Sequence, residues 1–177
     1  GDAFEAHEKG CDFVKNLSAV EGTDADIVIT TNGGYPLDQN IYQSVKSMTA
    51  AEACAKPDGI IIEVSKCNDG HGGESFYQTF KNAKDAKEVE DMILKVKMED
   101  TIADQWESQI LARILVRHQV LYVADESAKN ILEDMHITYV PTIEKALEKA
   151  LEIKGKDAQI TAIPEGISVI VKPKSAD

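Results

Sequence analysis

Four short apolar runs, Asp26 to Thr31, Ile60 to Val64, Val120 to Val123 and, more weakly, Ile137 to Val140, recur along the chain with helical patterns between them. Runs such as "IIIEV" and "VLYVA" are nearly continuous and β-branched, which suits strands buried on both faces rather than alternating with solvent. Strands alternating with helices predict an α/β fold: a doubly wound, mostly parallel sheet with helices on both faces. The end of the chain departs from that rhythm. "QITAIPEGISVIVKP" has two apolar runs around Pro164-Glu165-Gly166, which predicts a short C-terminal β hairpin or edge strands, with Pro173 ending the last one.

With 177 residues, no internal repeat and no low-complexity linker, the expectation is a single α/β domain over residues 1–177. Nineteen basic against 31 acidic residues give a net charge of −12, which repels nucleic-acid backbones and anionic lipid. The surplus is spread over amphipathic helices and reads as a solvated surface. No apolar run approaches the roughly 20 residues of a bilayer span, and no signal peptide is recognisable, so the expected location is cytoplasmic. Cys11, Cys54 and Cys67 are odd in number and lack CxxC spacing, which predicts reduced, mostly buried thiols and neither a disulfide framework nor a zinc site.

Phe4, Cys11, Val14 and Leu17 recur at helical spacing and predict a first helix ending near Ser18. It begins almost at once, as expected of a domain taken from a longer chain. Thr142 after Pro141 caps a helix with Ile143, Leu147, Ala150 and Leu151 on one face, and Gly155 ends it. Thr49 to Glu52 has the S/T-x-x-E form of a capping box and predicts the start of a new short helix.

Asn32-Gly33-Gly34 follows the first apolar run, where a parallel strand hands over to a helix. Such a turn lets a backbone approach a phosphate, with the next helix aiming its free N–H groups at the anion. It equally serves any turn needing positive φ, and both GxGxxG and the P-loop pattern are absent. The helix that follows can be projected at about 100° per residue. Ile41, Val45 and Met48 then make a core stripe. Tyr42, Gln43 and Lys46 fall on a second face, offering a phenol, a two-way hydrogen bonder and a cation that could hold a carboxylate or phosphate. A plain solvated face with a Tyr/Lys pair explains the same spacing.

A second glycine-rich stretch, "CNDGHGGESF", brings Cys67, Asp69, His71 and Glu74 together in sequence. These types bind transition metals, but the stretch also reads as a connector in which two of the four cap a helix beginning near Ser75, and no metal site is assigned. Trp106 heads a Trp106–Ile110–Ile114 stack, which places it either in the core or, near a strand end, as a pocket wall.

The segments "DIVITTNGGYPLDQNIYQSVK", "NDGHGGESF" and "DQWESQILAR" together resemble the C-terminal domain of the nickel-dependent lactate racemase family, over nearly the whole chain. That resemblance implies a two-domain enzyme with its active site in the cleft between domains. It implies an isomerase that racemises 2-hydroxy acids with a nickel-pincer nucleotide, a pyridinium bisthiocarboxylate mononucleotide carrying nickel. In such enzymes a histidine takes the hydroxyl proton, and the Cα hydride passes to the cofactor and returns to the other face of the planar keto acid.

Matched to the family's Tyr-Gln-x-x-Lys helix and tryptophan, Lys46 and Gln43 become the residues beside substrate and cofactor. Tyr42 and Trp106 line the pocket, with Asn32, Gly33 and Gly34 at its edge. The cofactor lysine, the nickel-ligating histidine and the acid/base histidines belong to the family's N-terminal domain, so His7, His71, His118 and His136 take none of those roles. The expected partners are that N-terminal domain and a small 2-hydroxy acid, lactate first. This chain alone is expected neither to hold nickel nor to turn over. Two rivals remain: a non-catalytic nucleotide-binding or regulatory α/β module, and a structural lid without ligand contact.

Overall fold

The computed structural model describes residues 1–172. In chain order, α1 (Ala3–Ser18) and β1 (Ala19–Glu21) precede β2 (Ala25–Thr31), α2 (Ile41–Cys54) and β3 (Ala55–Val64). Three helices follow, α3 (Glu74–Lys81), α4 (Ala86–Ile93) and α5 (Gln105–Arg117), leading into β4 (Gln119–Val123). The chain ends with α6 (Lys129–Asp134), β5 (Thr138–Val140), α7 (Ile143–Lys154), β6 (Ile160–Ile163) and β7 (Ile170–Lys172).

The main sheet is parallel throughout, in the order β5-β4-β3-β2-β6. Side chains alternate across it, as a period of two requires. Val28, Ile61 and Tyr122 enter the larger core under α2, α5 and the neighbouring helices. Ile27, Ile60, Ile62 and Leu121 enter a smaller core closed by Ala146 and Ala150 of α7. Each fully buried isoleucine contributes about 1.5–3 kcal/mol through lost apolar contact with water, so a polar residue inside these strands needs a particular explanation. The projected stripe of α2 is buried throughout: Ile41, Val45 and Met48 are all closed off from solvent.

Several expectations are corrected. Of the two readings of the C-terminal runs, the edge strands hold and, among the described residues, the hairpin does not form: β6 joins the edge of the main sheet beside β2, whereas β7 pairs with β1 in a separate two-stranded parallel sheet. The residues between them bridge back to Asn32 instead of turning into an antiparallel strand. Thr49 does not start a helix, because α2 runs through it and its hydroxyl bonds back to the Lys46 carbonyl. Glu52 is free to pair with Arg113 on α5 instead. The helix expected near Ser75 does form, starting at Glu74. The cysteines are mostly buried, as expected: Cys54 and Cys67 are enclosed, and Cys11 is exposed because α1 buries none of its residues. The termination assigned to Pro173 lies outside the described residues.

Strand order reverses at β2, which sits between β3, its successor, and β6, the last to arrive. Ligands of open α/β sheets favour the crevice beyond the strand ends at such a reversal. Here the chain fills part of that crevice itself. Asn32 bridges to Glu165, Thr31 Oγ1 donates to the Pro164 carbonyl at 2.6 Å, and Gly166 lies on Thr30 and Ser47. A Cβ at Gly166 would stand 2.5 Å from Thr30 Oγ1 and 2.7 Å from Ser47 Cβ.

Candidate functional site

The two glycine-rich loops form one unit at the carboxyl end of the sheet. Cys67 and Asp69 donate their backbone N–H groups to the carbonyls of Asp38 and Gln39, at 2.9 and 2.8 Å. The first N–H groups of α2 are taken up in the same way: Ile41 donates to Gly70 O and Tyr42 to His71 O, each at 3.1 Å. Asn40 caps the helix, its Oδ1 accepting from Gln43 N at 3.0 Å. Gly72 has φ 79°, and a Cβ there would stand 2.5 Å from Asn40 Cγ, so both conformation and space require glycine.

The donors that would cradle a phosphate are therefore already bonded within the chain. Asn32 is buried, its Nδ2 donating to the Leu37 carbonyl, and Gly33 faces Ile167. Gly34 turns the loop at φ 79° and accepts from Leu37 N at 2.8 Å. These three residues shape the loop ahead of α2, and the anion-cradle reading loses its physical basis.

In the second loop, His71 stacks on Tyr77 with ring centroids 4.8 Å apart, its Nδ1 accepts from Gly73 N and its Nε2 lies 3.4 Å from Glu74 Oε2. Asp69 accepts from Asn40 Nδ2, and the buried Cys67 lies against the Tyr122 hydroxyl. Of the four residues that sequence placed together, His71 and Glu74 meet, whereas Asp69 and Cys67 turn to other partners. Among the described residues no three His, Cys, Asp or Glu side chains gather as metal ligands.

The second face of α2 meets the first turn of α5. Both helices run opposite to the strands they precede, so both begin at the ligand-binding end of the sheet. Tyr42 packs edge-on against Phe76 and Trp106, with centroids 5.5 and 6.0 Å away, and donates its hydroxyl to Asp104 Oδ1 at 3.0 Å. Partial burial and then the Asp104 carboxylate push that phenol up to about 12. Asp104, at the cap of α5, holds a left-handed backbone with φ 60°. Trp106 is 51% exposed and so is not a core residue. The buried stripe of α5 is rotated by one position from the expected stack, to Glu107, Ser108, Leu111, Ala112 and Ile114.

Lys46 is exposed and donates to Gln43 Oε1 at 2.6 Å. Among the described residues it forms no ion pair, unlike Lys56, Lys81 and Lys87. The structure thus brings Tyr42, Gln43, Lys46 and the α5 start together. The Lys46 ammonium is held by the Gln43 amide, and Trp106 packs against Tyr42, one helical turn from Lys46 on α2.

Two carboxyls escaped the sequence reading. Glu63 is fully buried in the central strand, accepting from Ser47 Oγ at 2.8 Å and Ser65 Oγ at 2.5 Å, and burial pushes it up to about 8. Beside it, Tyr122 donates to Ser44 Oγ at 2.6 Å, completing a polar layer beneath α2. Glu107 is 1% exposed, one oxygen has no partner, and burial pushes it up to about 7. The signals existed: a lone acid in "IIIEV", and an acid four residues before Leu111 and seven before Ile114.

Comparison with known proteins bears directly on this site. Residues 20–171 match the family model described as the lactate racemase C-terminal domain. The chain belongs to that family. It is 51% identical over 174 residues to the lactate racemase of Thermoanaerobacterium thermosaccharolyticum, covering 98% of this chain and 41% of that protein. Identity to the lactate racemase of Lactiplantibacillus plantarum is also 51%, over 97% of this chain and 41% of that protein. The structure of the T. thermosaccharolyticum lactate racemase apoprotein superposes with a TM-score of 0.91 at 51% identity, covering 94% of this chain and 40% of that one. This member of the lactate racemase C-terminal family spans about two fifths of the length of those relatives. Its fold is theirs, a five-stranded parallel sheet flanked by helices, with a second small parallel sheet.

Proposed function

We infer that this chain is the C-terminal, cleft-facing domain of a 2-hydroxy-acid racemase, an isomerase of the lactate racemase type. The supporting observation is the ammonium of Lys46, without an ion-pair partner among the described residues and held by Gln43 at the sheet's ligand-binding end, in a chain 51% identical to lactate racemases. Lys46 donates a charge-assisted hydrogen bond to the substrate carboxylate, and the Gln43 amide keeps the ammonium extended from the helix. Trp106 walls the pocket and Tyr42 fixes that wall through Asp104. A pocket bounded by an indole and a phenol suits a small acid, with lactate first.

Lys46, Gln43 and the half-exposed Trp106 are residues of a kind that could border a nickel-pincer nucleotide. Such a group, carried by the N-terminal domain, supplies the hydride acceptor. The contribution of this chain is to bind the carboxylate, orient it with the Lys46–Gln43 pair and, when the cleft closes, exclude water. The domain then pairs with the N-terminal domain of the same protein in the cytoplasm. Among the described residues no helix is long and apolar enough to cross a membrane.

Lys46→Ala in the full-length protein tests the reading. Racemisation should fall by about a hundredfold or more, as expected for a lost charge-assisted contact. The melting temperature should hold, because Lys46 is exposed. Wild-type turnover in that variant sinks the assignment.

A further inference from the structure

Glu107 is the least explained group near the site. Its carboxyl lies between α2 and α5, almost entirely out of solvent, with Oε1 lacking any hydrogen-bond partner. An orphaned buried carboxyl oxygen costs about 1–3 kcal/mol, so the fold carries a penalty there for some return.

The register of the two helices identifies the group opposite. Tyr42 bonds Asp104, 62 residues on, near the tops of α2 and α5, and Glu52 bonds Arg113, 61 residues on, lower down. The helices therefore run alongside each other with a constant offset. Lys46 and Glu107 are separated by that same offset, which puts them at one level between the two observed pairs. The charges acting on Glu107 agree: Lys46, from α2, favours its ionised form, and Asp104, from its own helix cap, opposes it. Tyr42, also from α2, feels the Glu107 charge in turn, and its hydroxyl is committed to Asp104.

We propose that Glu107 is the counter-ion of Lys46, competing with the substrate carboxylate for the ammonium and so setting how tightly the site holds an anion. This rests on the reading of Lys46 as substrate anchor. Glu107 is a positioning residue that touches no reacting atom. When ionised it draws Lys46 back toward α5. When protonated it leaves Lys46 on Gln43 and free for the substrate.

The test is steady-state kinetics of the cofactor-loaded, full-length enzyme carrying Glu107→Gln, with and without Lys46→Ala. At pH 8 the KM for lactate should drop about three- to tenfold with kcat within about twofold. At pH 6, where Glu107 is protonated, variant and wild type should coincide. In the Lys46→Ala background the substitution should leave KM unchanged. A KM unaltered or raised at pH 8, or an equal drop in both backgrounds, overturns the proposal. Full activity of Lys46→Ala alone would instead reject the anchor.

A readout independent of turnover and of any variant's folding is the Lys46 ε-methylene chemical shift in the full-length protein without cofactor. Followed from pH 5 to 9, it should inflect near pH 7 in the wild type. A featureless titration there overturns the proposal as well.

Discussion

Replacing Glu63 by glutamine should make the protein more stable at alkaline pH than the natural sequence. Among the described residues no cation acts on the Glu63 carboxyl, which accepts from the hydroxyls of Ser47 and Ser65, and burial raises it from an ordinary 4.5 to about 8. A carboxyl raised in the folded state binds its proton there while the unfolded chain has already lost it. Its contribution is full below about 4.5, declines as pH rises, and is exhausted above about 8. At about 1.4 kcal/mol per pH unit, the loss amounts to roughly 5 kcal/mol. That is a large share of the 5–15 kcal/mol typical of a domain. Glutamine keeps the shape and can still donate to one serine and accept from the other, but carries no ionisation.

Urea unfolding at pH 5, 6.5 and 8 measures the effect. The midpoint of the wild type should fall across that series relative to Glu63→Gln, with the gap widest at pH 8. Glu107 titrates in the same sense in both proteins and cancels from the difference. Parallel midpoints across the series would refute a buried, neutral Glu63.

Gly72→Ala should cost about 2–3 kcal/mol, because it strains a left-handed residue and displaces the Asn40 cap, and an unchanged urea midpoint would contradict the loop packing. Tyr42→Phe should keep the ring contacts but lose the bond to Asp104, for about 1 kcal/mol. The emission of Trp106, the single tryptophan, should change with it, and an identical spectrum and stability would mean that Tyr42 does not hold the α5 start.

The sheet was legible because its strands are short, apolar and buried on both faces, and α2 because its core stripe keeps strict helical spacing. What local pattern could not supply was partnership over distance. β6 and β7 look like a hairpin in sequence, but β6 pairs with β2 and β7 with β1, strands met far earlier in the chain. The Thr49–Glu52 motif reads as a helix start, yet the same residues serve a helix interior once Arg113 is there to pair with Glu52. Trp106 dominated the reading of α5 by size, while the quieter Glu107 occupies the buried position. That Gln43 and Lys46 share one face of α2 was legible from projection, and their hydrogen bond was not. The occupation of the α2 amides by the second glycine loop was not, because backbone carbonyls leave no mark on side-chain pattern.

That last arrangement couples two segments mechanically. A helix whose opening turn hangs from the carbonyls of Gly70 and His71 cannot pivot unless the 66–73 stretch travels with it. Length changes in either loop would therefore be transmitted to the tilt of α2 and the reach of Lys46. Attempts to reshape selectivity should thus vary side chains around Trp106 and leave both glycine segments at their native length.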